Sequence, residues 1–335
     1  LKAAGRALLF VALVALGCGD NQVGLTGPSF PPRGPTSVAA NLRPYLDELL
    51  TIMHTYSINR ASIDWGNFRS EVLAASGSPE TIADIDRAIV TALRLLDDEQ
   101  TYYRGADGRL IGPPPVGGCT AATSTPPILP DTIGYVRIDP CDCDGPAATR
   151  FAESLQQAIR AADRPGLTGW IVDLRGNFGG NMWPMIAGIG PVLGEGIVGW
   201  IVYNDREYER EYRDGAARSF GEIFAQVGTP YTLLRERPKV AVLTDGVVAS
   251  SGEAITVYFK GRPRTRSFGT ATCGHHHLQQ SFRLSDGAVL FLAVSQHADR
   301  TKKRYAARIG PDEVISDPVK AVDRAIEWLQ VEGDF

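Results

Sequence analysis

The sequence predicts an α/β protein preceded by a small helical domain, and three observations carry that expectation. From Ile133 onward, short apolar runs alternate with longer segments whose apolar residues recur at helical spacing, the pattern of strands joined by crossover helices. Ahead of that region, residues 40–104 show helical periodicity. Apolar types make up 44% of the 335 residues, enough to bury at least one full-sized core.

The chain opens with LKAAGRALLFVALVALGCGD, where Lys2 and Arg6 precede an apolar run from Ala7 to Leu16 and then Gly17 and Cys18. This order reads as an export signal over residues 1–18, with an apolar run too short to span a bilayer comfortably. Gly17 before Cys18 resembles a bacterial lipoprotein cleavage box, which would lipidate Cys18 and make the membrane a partner through that anchor. Simple secretion, an uncleaved anchor and a misassigned start are the alternatives. Residues 19–39 are rich in Gly, Pro, Ser and Asn and read as a flexible tether.

Within 40–104, Leu42, Tyr45, Leu46, Leu49, Leu50 and Met53 fall at helical spacing. Ser78 followed by Pro79 reads as the start of another helix, which runs through Ile82, Ile85, Ile89, Leu93 and Leu96. Residues 105–130, including GPPPVGGCTAATSTPP, read as a long loop. In the α/β region, 131–330, strands are expected at 133–138, 169–174, 196–202, 239–245, 264–269 and 288–295. Helices are expected at 147–162, from Met182, and after Asp245, around a partly parallel sheet.

Lys and Arg number 34 against 38 Asp and Glu. With no basic stripe, aromatic interleaving or zinc-knuckle spacing, this balance excludes nucleic acid as the expected partner and leaves a peptide, protein or small molecule. Apart from Cys18 there are four cysteines, Cys119, Cys141, Cys143 and Cys273, an even number that permits disulfides in an exported protein. Cys141 and Cys143 in a strand-like setting are not expected to close on each other, so Cys119 is expected to pair with one of them.

Chemistry in an α/β fold gathers where strands end and helices begin, because unpaired backbone N–H groups point outward there. Two such junctions stand out, IVDLRGNFGGN (171–181) and VLTDGVVASSGEAI (242–255). Alone, a double glycine is a turn and a serine before Gly-Glu is a helix cap. Together they supply the parts of a serine nucleophile site: a hydroxyl at the mouth of a helix, and backbone donors for a developing oxyanion.

The two motifs, in this order, resemble the core of the tail-specific, C-terminal-processing serine peptidases, relatives of the tricorn protease core and of interphotoreceptor retinoid-binding protein. That family reads approximately LDLRxNxGG, then S-A-S-E, then G-E-x-T-x-G-K, and the resemblance spans roughly residues 40–320. It implies a crotonase-like (ClpP/crotonase) peptidase core behind a helical front, acting on peptide or protein substrates without a cofactor. Aligning S-A-S-E on Ser250-Ser251-Gly252-Glu253 makes Ser250 the nucleophile. The N–H of Ser251 and that of Gly179 or Gly180 then form the oxyanion hole. Many members carry a PDZ domain between front and core; the roughly 30 residues between Tyr103 and Ile133 leave no room for one.

The base departs from the family pattern. Lysine-type members place a Lys where this chain has His275, in GTATCGHHHLQQ, with a supporting Gln where this chain has Gln279. Another branch uses a His in a D-x-H-S/T pattern after the front helices, and here Asp98-Glu99-Gln100-Thr101 stands instead. His275 is a competent base near neutral pH; His297 and His54 are the other candidates. Cys273, His275, His276 and His277 with Cys141 and Cys143 carry zinc-type donors, but consecutive histidines point different ways and no standard spacing links the clusters, so no metal is expected. The expected reaction is peptide hydrolysis through an acyl-enzyme at Ser250. The rival from another class is a catalytically weak or inactive homologue that binds peptides or apolar ligands in the same cleft.

Overall fold

A computed structural model describes residues 42–331 apart from 78–84, 99, 113–118, 121–126, 204–205, 276 and 306–307. The export signal with Cys18, the tether and the proposed cap Ser78 lie outside the described residues. The front consists of α1 (Leu42–Tyr56), α2 (Trp65–Ser76) and α3 (Asp86–Leu96). Leu46, Leu49 and Met53 of α1 and Ile89 and Leu96 of α3 bury against Leu290 and Leu292 of β12 (Val289–Ala298). The helices thus share their core with a late strand, which seals their apolar stripe. α2 has only Phe68 and Val72 buried, and its start is set by the Asp64 carboxylate, which accepts from the N–H groups of Gly66 and Asn67. That thin apolar face explains why periodicity does not reveal it.

Two sheets follow. In the parallel one, β3 (Ile133–Arg137), β4 (Gly169–Asp173), β9 (Lys239–Thr244), β10 (Thr265–Gly269) and β13 (Glu313–Val314) lie in the order β13-β10-β9-β4-β3. Every residue of β4 and β9 is buried, as continuous apolar runs covered on both faces must be. Helices α4 (Gly145–Ala162), α5 (Met182–Leu193) and α6 (Ser251–Lys260) share the main core, with Val172, Val242, Ile186 and Ile255 at its centre. Helix α7 (Pro318–Gln330) buries Val322, Ala325 and Leu329 with Ile171, Ala241 and Leu243 in a separate cluster.

The second sheet consists of β1 (Tyr102–Arg104), β2 (Leu110–Ile111), β5 (Gly196–Tyr203), β6 (Arg206–Arg213), β7 (Ala216–Ser219), β8 (Glu222–Gln226), β11 (His277–Arg283) and β12. It is antiparallel and runs β2-β1-β12-β5-β6-β7-β8, with β11 paired to β12. The α/β architecture with a helical front stands as expected. The expected partly parallel sheet is instead one wholly parallel and one antiparallel sheet. β6, with the sequence REYEREYR, is charged at six of its eight positions and has Tyr208 and Tyr212 in place of an aliphatic alternation, which hides it from a hydrophobicity reading.

The disulfides correct the expected pairing: Cys119 bonds Cys273, and Cys141 bonds Cys143. The expectation assumed an extended segment. In fact the chain leaves β3 and turns toward α4, bringing the Cα atoms of Cys141 and Cys143 to 5.1 Å, within normal bridging range. Thr120 meanwhile packs on the turn after β9, where a Cβ on Gly246 would lie 2.5 Å from its carbonyl oxygen, and this brings Cys119 to Cys273 rather than to the β3 end.

Candidate active site

β4 and β9 are neighbours in register, so the segments leaving their C-terminal ends meet. The first is 174–180 and the second 245–250, which opens α6. Asn177, fully buried, locks them together. Its carbonyl accepts from Ala249 N–H at 3.0 Å, its Nδ2 donates to the Ile138 carbonyl at 3.0 Å, and its Oδ1 accepts from Gly179 N–H at 2.9 Å. Beneath the turn, buried Asp173 takes a bidentate contact from Arg175, 2.8 Å from Nε and 2.7 Å from the guanidinium end, plus the Tyr135 hydroxyl at 2.9 Å. The first sequence motif contains Asp173, Arg175, Asn177 and Gly179, but only the fold brings Tyr135, Ile138 and Ala249 to them and shows that Asn177 spans three segments.

Ser250 sits at φ 52° and ψ −119°, a backbone region that non-glycine residues avoid and that tends to persist at functional turns. Its side chain is exposed while Ala249 beside it is buried. Ser251 differs, because its hydroxyl donates to the Gly180 carbonyl at 2.5 Å. Gly179 (φ 113°) and Gly180 (φ 106°) are both in the conformation that favours glycine. A Cβ on Gly179 would lie 2.7 Å from that of Ser250, and one on Gly180 would overlap the Cys141 carbonyl. Gly179 spends its N–H on Asn177, whereas among the described residues the N–H groups of Gly180 and Ser251 make no hydrogen bond. Of the two glycines proposed as donors, Gly180 is therefore the one with an available N–H.

Glu253, one turn into α6, is fully buried. Its Oε2 accepts from the N–H groups of Ser250 (3.1 Å) and His275 (2.6 Å), and its Oε1 from Gly274 N–H (2.7 Å) and the Thr272 hydroxyl (2.5 Å). Burial pushes its pKa up to about 7, against the opposing pull of those four donors. The shared Oε2 brings the backbone of His275 to the turn of Ser250. The imidazole of His275 lies beside the Cys119–Cys273 disulfide, its ring nitrogen and the two sulfurs all within 4.8 Å of one another.

Gln279 donates to the Gln100 carbonyl, and the Gln100 side chain donates to the Gly274 carbonyl at 2.5 Å. Gln279 thus reaches the His275 segment through Gln100, the residue standing where one branch of the resembled family has its histidine. Asp98 accepts from the N–H groups of Gln100 and Thr101 and from the Thr101 hydroxyl, and its burial raises its pKa. The other candidate bases lie elsewhere: His54 stacks on Trp65 in the helical front, and His297 Nδ1 meets the Tyr258 hydroxyl at 2.8 Å. His276 lies outside the described residues. Sequence reasoning missed Glu253 and Gln100 as parts of the site; the S-x-x-E spacing was a signal for the former.

Residues 132–315, more than half of the chain, match Peptidase family S41. A nisin-resistance protein of Lactococcus lactis subsp. lactis is 30% identical over 187 residues, 55% of this chain and 55% of that protein. A carboxyl-terminal-processing protease of Synechocystis sp. is 26% identical over 193 residues, 56% of this chain and 39% of that protein. The matched stretch thus spans about half the length of these curated relatives or less. Among solved structures, the photosystem II D1 C-terminal processing protease superposes with a TM-score of 0.51 at 16% identity, covering 87% of this chain and all of that one.

Proposed function

Since the chain belongs to peptidase family S41, we propose that it hydrolyses peptide bonds of protein or peptide substrates through an acyl-enzyme at Ser250. The observation that carries this reading is the pairing of an exposed serine on a positive-φ helix mouth with two unspent N–H groups, those of Ser251 and Gly180. Ser250 Oγ attacks the scissile carbonyl, and the two N–H groups receive the oxyanion. His275 takes the hydroxyl proton and returns it to the leaving amine; water then attacks the acyl-enzyme with His275 again accepting a proton. The closeness of the Ser250 and His275 backbones, joined through one carboxylate oxygen, supports His275 in that role. Gln279 acts at one remove, by way of Gln100.

A fluorophosphonate probe tests the reading directly. Adduct mapping by mass spectrometry should find Ser250 modified in the native chain and no modification in Ser250→Ala. Modification at Ser251 would overturn the assignment of the nucleophile. A native chain that takes no probe but retains peptide affinity would favour the binding-protein reading, for which the absence of both the lysine and the branch histidine is the supporting observation.

Attachment to a membrane through lipidated Cys18 belongs to the same proposal. Among the described residues no helix is long and apolar enough to cross a membrane. Globomycin should leave an unprocessed precursor, and normal maturation in its presence would refute lipidation.

A further inference from the structure

Glu253 does more than a helix cap requires. A capping box asks the N3 carboxylate to accept one bond, from the N-cap N–H, and Oε2 accepts it from Ser250. The remaining three bonds leave the helix altogether and end on Thr272, Gly274 and His275, about twenty residues further along the chain. Burying a carboxylate among neutral donors is costly, and only a full set of hydrogen bonds offsets it. The segment it holds is also pinned by a bond from Cys273 N–H to the Val248 carbonyl at 2.8 Å, by Gln100 at the Gly274 carbonyl, by bonds between Thr272 and Ile309, and by the Cys119–Cys273 disulfide.

We propose that Glu253 is a positioning residue whose carboxylate sets the backbones of Ser250 and of residues 272–275, and so the nucleophile and His275, in one fixed register. The inference rests on the reading of Ser250 as nucleophile for its catalytic consequence, but the fastening itself does not. Once Glu253 is ionised, above about pH 7, each carboxylate oxygen serves two donors, so the demand there is for four acceptor directions and no donor. Glutamine has the same shape and cannot meet it. With its amide nitrogen toward Ser250 and His275, two N–H groups face an N–H; turned the other way, the nitrogen faces Gly274 N–H and disturbs the Thr272 hydroxyl. Either orientation releases at least one segment from the other.

Three versions of the full chain decide the matter: native, Glu253→Gln and Thr272→Val. The last removes one donor to the carboxylate, together with the acceptor of Ile309 N–H, and keeps the carboxylate itself, so it carries the test if Glu253→Gln fails to fold; all three are compared at pH 8. Fluorophosphonate labelling is resolved into the saturating rate and the half-saturating concentration, and amide exchange of the 272–275 peptide is followed by mass spectrometry. We expect Glu253→Gln to label Ser250 roughly 10- to 100-fold more slowly at saturation, the size of loss that a displacement of about 1 Å produces. Its half-saturating concentration should be nearly native, with faster exchange at 272–275, and Thr272→Val should shift both readouts in the same direction by less. Native labelling rates in the variants would overturn the catalytic role, and native exchange would overturn the fastening. If the native chain itself takes no probe, the peptidase reading fails on its own, and the exchange comparison still decides whether Glu253 holds the two segments together.

Discussion

The two halves of the candidate site are built differently. The half around the proposed nucleophile is two turns at the ends of adjacent parallel strands, β4 and β9, with glycines at positive φ, a strained serine and one buried asparagine that bonds across the turns. The base half is collected from three stretches far apart in the chain, 98–101, 272–279 and Glu253 of α6, with the Cys119–Cys273 disulfide alongside. The first half depends on backbone conformations that few residue types can adopt, so its sequence is restricted. The second depends on side chains reaching carbonyls and amides across the fold. Several residue types can satisfy such contacts, so the position of the proposed base can depart from the family pattern while the turn of the proposed nucleophile keeps it.

Substituting His275 probes the second half and should have the largest effect. If His275 is the base, His275→Ala should lose turnover comparably to Ser250→Ala, on the order of 10³-fold or more, because members of one proton-transfer unit are not additive. His275→Lys, which places the usual family residue there, should retain turnover with a changed pH profile. Full activity in His275→Ala would show that the base half has been assigned to the wrong residue.

Gly180→Ala probes the first half. The added methyl meets the Cys141 carbonyl at a φ that alanine resists, so the donor at Gly180 N–H should be displaced. Loss of one oxyanion donor costs about 10² to 10³ in kcat. Gly179→Ala should lower thermal stability as well, through its contact with Ser250, but its N–H is already engaged by Asn177. Equal kcat in Gly180→Ala and the native protein would remove Gly180 from the oxyanion hole.

The smallest expected effect concerns the joint between the halves. Glu253 has its pKa raised in the folded state to about 7, so folding retains a proton that the unfolded chain gives up near 4.5. Its contribution to stability is fully present below pH 4.5 and is lost as pH rises through about 7. Denaturant midpoints of native protein and Glu253→Gln, measured at pH 5 and pH 8, should therefore diverge. The native chain should lose more stability at the higher pH, by up to about 3 kcal/mol. Parallel pH dependence in the two proteins would mean that Glu253 does not hold its proton in the fold.

Much of the fold was legible because burial imposes a period. The runs that became β4, β9 and α1 have no way to hide their apolar faces other than the one adopted. Where the period is masked, reading failed: β6 carries charges beside inward-facing Arg210 and Tyr212, and α2 buries too little to show a stripe. In the site, Ser250, Ser251, Gly179 and Gly180 were legible as a local pattern of small residues at strand ends. Choosing between the two glycines was not, because it depends on where the Asn177 side chain turns.

By itself, the sequence determined an α/β core with a helical front, the family resemblance and the serine at the mouth of α6, because strand burial, helix periodicity and glycine's access to positive φ act within a few residues of one another. Only the tertiary structure decided that Cys119 meets Cys273, that Gln100 bonds to Gly274, and that Glu253 ties Ser250 to His275. Apart from the local bond between Glu253 and Ser250, those contacts join residues 22 to 174 positions apart, 154 for the disulfide, and which of them form depends on how the layers pack, which no local pattern encodes.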